Sequence, residues 1–250
     1  MLEFGKFQAL LLHTLGRLAN LSIVQVQALY AHYCLVERWG RVLNLTRIRD
    51  VEEVIRLHYC ESLFLGAHLG SGSRRVLDVG SGAGFPGVPV AILRPEFQLV
   101  LAESRHRKAA FLREATRELP NVRVHFGPAE ELDEHFDWVL ARAVRPKAIL
   151  AIVRRLGDHV GLLLGHTEAA TLTGGQEEPA RNWASAQPHS DFWRRRNLGD
   201  TIPTRPSSEV RGLRRLGAIS TIRWDPAVRL PWGERRFMVL GHVFRPAAPA

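Results

Sequence analysis

Arg75-Val76-Leu77-Asp78-Val79-Gly80-Ser81-Gly82-Ala83-Gly84-Phe85-Pro86-Gly87 is the stretch on which the fold turns. Five residues rich in β-branched and apolar side chains end at a glycine. Two more glycines follow at alternate positions, and a proline stands where a helix should begin. That is a short strand running through a tight turn into a helix. Downstream the unit repeats. Strands are expected over 97–102, 122–126, 136–141 and 160–164, with helical segments between them, the clearest over 105–119. Strands alternating with helices at this spacing define an α/β fold with a doubly wound, mostly parallel sheet.

Upstream the period is helical. Helices are expected over 4–19, from Ser22 to a stop near Gly40, and after Asp50, where Glu53 completes a capping-box pattern. These segments form an N-terminal helical cap over 1–70, packed on a core domain over 71–250. The stretch 173–208, rich in Gly, Pro, Ser and Asn and carrying Trp183, Phe192 and Trp193, reads as an irregular insertion. Two antiparallel strands over 217–223 and 236–243 should follow it, and 246–250 reads as a frayed tail.

With 46% hydrophobic and 24% charged residues among 250, the composition is globular rather than disordered. No apolar run approaches the roughly 20 residues of a membrane span, and no secretory signal is evident, so a cytoplasmic location without membrane partners is expected. The two cysteines, Cys34 and Cys60, have no metal-binding spacing, and no metal site is expected. A net charge of +9 invites a polyanionic partner. All but three of the 34 basic residues are arginine, a skew that base composition alone can produce, so charge points to RNA without settling it.

The glycine turn sits where open parallel sheets bind ligands, with Gly80, Gly82 and Gly84 letting the backbone approach closely. Read as a bare pattern, 82–87 also satisfies the G-x-G-x-x-G dinucleotide fingerprint. Two features oppose that reading. Pro86 removes an amide that would cradle a pyrophosphate, and Asp78 places a carboxylate where an anion would be repelled. S-adenosylmethionine has no phosphate and carries an ammonium and a sulfonium, which a carboxylate favours. Glu103, at the end of the second strand, is placed to accept ribose hydroxyls, and Ala129-Glu130, after the third, to line the adenine.

The acceptor is narrowed by what is missing. Exocyclic-amine methylation calls for a D/N-P-P-Y/F motif after the fourth strand, where this chain reads Ala141-Arg142-Ala143-Val144-Arg145-Pro146. Neither cysteine lies in a loop suited to C5-pyrimidine chemistry, and three lysines make a lysine-centred ribose methylation site improbable. What remains is an acceptor needing no deprotonation, such as guanine N7. Arg142, at the end of the fourth strand, is the expected positioning residue.

These residues resemble a known family, the bacterial small-subunit ribosomal RNA guanine-N7 methyltransferases, also called glucose-inhibited division protein B. The resemblance covers about 39–146. It is carried by Asn44-Leu45-Thr46 with Arg49-Asp50, His58 with Glu61-Ser62, the string from Val76 to Pro89, Glu103-Ser104, Phe111-Leu112-Arg113, Ala129-Glu130-Glu131, and Phe136-Asp137 leading to Arg142-Ala143. It implies a Rossmann-like class I methyltransferase acting on N7 of a guanosine in small-subunit ribosomal RNA, with S-adenosylmethionine as methyl donor. Gly80 and Phe85 would contact the methionine end, Ala129 and Glu130 the adenosine, and Arg142 both cofactor and target. Asn44 and His58 would belong to the RNA-facing cleft. The ribosomal RNA or small subunit would be the partner of a monomeric chain. The departures are Glu61 for the family's usual Asp, Pro128 where an arginine often precedes Ala-Glu, and Leu164-Gly165 where the family has Lys-Gly. Arginines between 181 and 245 could replace the lost cations, Arg235-Arg236 aligning best. A methyltransferase with another acceptor, a non-catalytic RNA-binding module and an NAD-dependent oxidoreductase stay open as alternatives.

Overall fold

The computed structural model describes residues 2–178, 221–233 and 235–245. Helix α1 (Phe4–Leu15) closes at Gly16, whose positive φ ends it four residues earlier than the periodicity predicts. Helix α2 (Ile23–Leu43) opens on a complete capping box between Ser22 and Gln25. It passes through Gly40 and closes at Asn44, in the left-handed conformation. A lone helical glycine costs only about 1 kcal/mol, too little to stop a helix that buries Leu29, Tyr33 and Val36. Asp50 caps α3 (Val51–Val54), its carboxylate accepting from the Glu53 amide at 2.8 Å. The helix then runs without a break through a π-helical stretch (Ile55–Cys60) into α4 (Glu61–Ala67).

The sheet begins with β1 (Arg75–Val79) and continues through α5 (Gly87–Leu93), β2 (Gln98–Glu103), α6 (His106–Ala115), β3 (Val122–Phe126), a 3-10 turn (Ala129–Glu131), β4 (Phe136–Arg142), α7 (Pro146–Leu156) and β5 (Gly157–Gly165). After α8 (His166–Thr173) come β6 (Glu177–Glu178), β7 (Thr221–Trp224), β8 (Ala227–Arg229) and β9 (Arg236–Phe244). The strand order is β3-β2-β1-β4-β5-β9-β8-β6, with β7 also on β9. Strands β1 to β5 pair in parallel, and β9 pairs antiparallel with β5 and β7. The expected doubly wound sheet and late antiparallel pair are therefore present. The insertion read over 173–208 begins as the last turn of α8 and then β6; its residues from 179 on, like 217–220 and 246–250, lie outside the described residues.

The chain winds outward from β1 through β2 to β3, then returns to β4 on the other side, so the strand order reverses between β1 and β4. Both faces of the sheet are covered. Phe7, Leu11, Leu29, Tyr33 and Tyr59 of the N-terminal helices share one core with Phe85, Val88 and Phe111. On the other face Ile149, Ile152 and Val153 of α7 pack on Leu77 and Val139. No helix of the described residues is long and apolar enough to cross a membrane.

Candidate active site

The glycine turn leaves the carboxyl end of β1 at the reversal point, where open α/β sheets hold ligands. Its shape rests on close contacts. A Cβ on Gly84 (φ +88°) would lie 2.7 Å from Val88 Cγ2, and one on Gly87 would lie 2.3 Å from Leu101 Cδ2 and 2.6 Å from Asp78 Oδ2. The β4 end closes on the same point, since Val144 Cγ2 lies 3.2 Å from where a Gly80 Cβ would stand. The Phe85-Pro86 peptide is cis.

Asp78 is wholly buried beneath the turn. Its Oδ2 accepts from the Gly87 amide at 3.0 Å, while Oδ1 has no hydrogen-bond partner among the described residues. Burial, with the charge of Glu103 adding to it, pushes this carboxyl up to about 7. A buried carboxylate oxygen without a donor suits a cationic ligand and penalises an anionic one. With Pro86 lacking an N–H and the Gly87 amide already committed to Asp78, the start of α5 has no pyrophosphate cradle. This disfavours the dinucleotide reading. Glu103 is buried too, its oxygens accepting from the amides of Gly82 at 3.0 Å and Arg105 at 2.9 Å. An ionised carboxylate has about four acceptor positions, so two remain for hydroxyls. Ala129 is buried in the 3-10 turn after β3, whereas Glu130 beside it is exposed.

Arg142, the last residue of β4, is held from two sides. One terminal nitrogen touches His58 Nδ1, and the other lies 3.7 Å from Glu61 Oε2. A guanidinium can only donate, so His58 Nδ1 accepts. Its proton is then on Nε2, which donates to Thr46 Oγ1 at 2.8 Å, and that hydroxyl also accepts from the Ile48 amide. Burial, together with the charges of Arg142 and Arg236, holds His58 far below the usual imidazole range. The ring stacks on Phe85 of the glycine turn, centroids 4.7 Å apart. His58 is thus buried and spent on its neighbours. It joins Arg142 to the glycine turn rather than lining the open cleft. Asn44, by contrast, is exposed. Ala143, directly after Arg142, has φ +55°, a sparsely populated conformation for a residue with a Cβ.

One member of the cluster, His32, was not singled out by sequence reasoning, and Arg236 was named only as a candidate replacement for the lost cations. His32 donates from Nε2 to the Ala83 carbonyl at 3.0 Å, and its Nδ1 accepts from the Tyr59 hydroxyl. Burial pushes His32 down to about 4, so it stays neutral. Its signal was a histidine on the apolar stripe of α2, between Leu29 and Tyr33. Arg236 opens β9 and meets wholly buried Glu61 with both ends, at 2.9 and 2.7 Å. It stands opposite Gly165 in the β5–β9 register, one residue from Leu164. A cation is therefore supplied from the adjacent strand where the resemblance expected a lysine on β5.

A parallel sheet whose strand order reverses at a glycine turn over a buried carboxylate is a Rossmann-like fold with a ligand site at that turn. Residues 25–178 match the family model GidB, rRNA small subunit methyltransferase G, and the chain belongs to that family. Among its relatives, the Nitrosospira multiformis protein named ribosomal RNA small subunit methyltransferase G is 50% identical over 138 residues, 55% of this chain and 60% of the relative. Its namesake in Chromobacterium violaceum is 41% identical over 128 residues, 50% and 61% of the two chains. That of Xanthomonas euvesicatoria pv. vesicatoria is 40% identical over 158 residues, 59% and 74%. The chain thus spans about three fifths of the length of the first two relatives. Arg236 lies beyond the family-model match.

Proposed function

We propose that this chain transfers the methyl group of S-adenosylmethionine to N7 of a guanosine in small-subunit ribosomal RNA. The observation that carries this reading is the chemistry around Arg142, which offers donors but no base. His58 has both ring nitrogens engaged and stays neutral, and Glu61 is held by two arginines. An acceptor that must lose a proton would find nothing in this cluster to take it. Guanine N7 has no proton to lose. Its lone pair forms the new N–C bond as the S–CH₃ bond breaks, and the bonding pair stays on sulfur. The protein's task is then alignment.

Asp78 would balance the ammonium end of the cofactor under Gly80, Gly82 and Gly84, with Phe85 beside it. Glu103 would accept ribose hydroxyls, and Ala129 and Glu130 would flank the adenine. When bound, the cofactor supplies an electrophilic methyl. Arg142 would donate to the guanine edge, held in plane by His58 and Glu61.

The test is mapping of N7-methylguanosine on small-subunit ribosomal RNA, by borohydride reduction and aniline cleavage, in cells with and without the gene. A site lost on deletion, restored by the wild-type chain and not by Arg142→Ala, is expected. With purified protein, Arg142→Lys should lose on the order of 10²-fold in kcat, because an ammonium cannot bridge His58 and Glu61 and still donate to a base. No altered guanosine, with S-adenosylhomocysteine still bound, would assign the fold to a different acceptor.

A further inference from the structure

Cations gather around the glycine turn that no carboxylate among the described residues neutralises. At the amino edge of the parallel strands, Arg75 and Arg123 both meet Glu134, and Arg245 meets Asp158 at 2.5 Å. At the carboxyl edge Arg229 still meets Glu177, but beside the glycine turn five cations have no such partner. Arg105, Arg107 and Lys108 stand at the start of α6, and Arg145 and Lys147 at the start of α7. Among the described residues none of these five has a carboxylate partner, and neither helix has an acid in its first turn. Glu130 and Glu131, exposed on the same edge, pair with none of them. Two of the chain's three lysines are in this set.

This arrangement costs stability, because cations at a helix start oppose its dipole. The two helices follow β2 and β4, the strands on either side of β1, and they lie on opposite faces of the sheet. The five charges therefore flank the glycine turn from both sides. On the α6 side they form one wall of a cleft of about 380 Å³, and Val42, Leu43 and Asn44 form the other. Val42 is 72% exposed. Cations facing an exposed apolar wall match the two parts of a nucleotide, phosphate and base.

We propose that Arg105, Arg107 and Lys108 on one side, and Arg145 and Lys147 on the other, form a divided cradle for the phosphates flanking the methylated nucleotide. The RNA strand crosses the carboxyl edge of the sheet between them, and its target base turns in toward Arg142. The side-chain cations hold the phosphates, and the helix amides are not required. This rests on the methyltransferase reading and adds to it where the RNA lies.

The experiment uses the full chain, its Arg105→Ala/Arg107→Ala and Arg145→Ala/Lys147→Ala variants, and deproteinised small-subunit ribosomal RNA. RNA affinity is measured from 50 to 200 mM KCl, alongside methyl transfer and S-adenosylhomocysteine binding. Each double variant should bind RNA roughly tenfold more weakly, with a salt slope lower by about 2, as expected when two phosphate contacts are lost. KM for RNA should rise with kcat nearly kept, and S-adenosylhomocysteine binding should be unchanged, which shows that the variants fold. The Arg→Lys versions should recover most of the affinity. Wild-type slopes and KM in both variants, with an active wild type, would overturn the cradle and leave the methyltransferase reading standing. A wild type that binds RNA through these residues but transfers no methyl would overturn that reading and keep the cradle.

Discussion

Because Asp78 is buried with one oxygen unpartnered among the described residues, ionising it is costly, and its carboxyl stands near 7 rather than at its ordinary 3.8. Between those values the folded chain holds a proton that the unfolded chain has released. Stability should therefore fall as pH climbs from about 4 to 7. A cationic ligand reverses the preference by favouring the ionised form, so cofactor affinity should rise over the upper part of the same window. Asp78→Asn removes the charge and keeps an acceptor for the Gly87 amide. Its melting temperature at pH 8 is expected at or above that of the wild type, with S-adenosylhomocysteine binding lost. Thermal melts at pH 5 and pH 8, with and without S-adenosylhomocysteine, check both parts. A variant that melts lower at pH 8 yet binds normally would show that this carboxylate serves folding and not the ligand.

The turn that carries the candidate site is braced from within, the Gly84 and Phe85 amides on the Ser81 carbonyl and the Gly87 amide on Asp78, and from outside by the N-terminal helices. His32 holds the Ala83 carbonyl, His58 stacks on Phe85, and Tyr59 meets Phe85 edge-on. His32→Leu would leave the Ala83 carbonyl and the Tyr59 hydroxyl unpaired in a dry core, at a cost of about 3 kcal/mol. Gly84→Ala adds a methyl group where φ is +88° and Val88 is 2.7 Å away, costing about 2–4 kcal/mol. Denaturant melts should place both losses in that range, with S-adenosylhomocysteine binding weakened further than stability. At this scale the sequence was readable where a signal is local. The strand, glycines and proline of 75–87, the caps at Ser22 and Asp50, and β1 to β5 all have signatures within a few residues. The helix ends were misplaced because Gly40 looks like a stop and Asn44 is one, a choice that burial decides. His32 was missed because its partners, Tyr59 and Ala83, are 27 and 51 residues away.

At the scale of the molecule, the candidate site is assembled from segments spread over almost the whole chain: Thr46 to Glu61, Asp78 to Gly87, Arg142, and Arg236. Arg142 was legible as a strand-end arginine; the pair that holds it was not, since Glu61 and Arg236 are 175 residues apart. Glu61 has no exposed side-chain surface and serves two cations, so it couples β9 to Arg142 at the end of β4. Removing one partner of such a buried pair exposes the desolvation cost of the other. Arg236→Ala should destabilise by about 3 kcal/mol, the low end for buried pairs because its side chain is 28% exposed. It should also lower kcat, since Glu61 then takes up Arg142 fully and draws it from His58. Adding Glu61→Gln to Arg236→Ala removes the uncompensated charge, and stability should return by 1 kcal/mol or more. Activity should not return with it, because Arg142 has then lost its carboxylate. Denaturant melts and single-turnover methyl transfer on the two single variants and the double variant separate these outcomes. Recovery of both together would make Glu61 and Arg236 a structural pair alone. Recovery of stability without rate would make them the positioning device for Arg142.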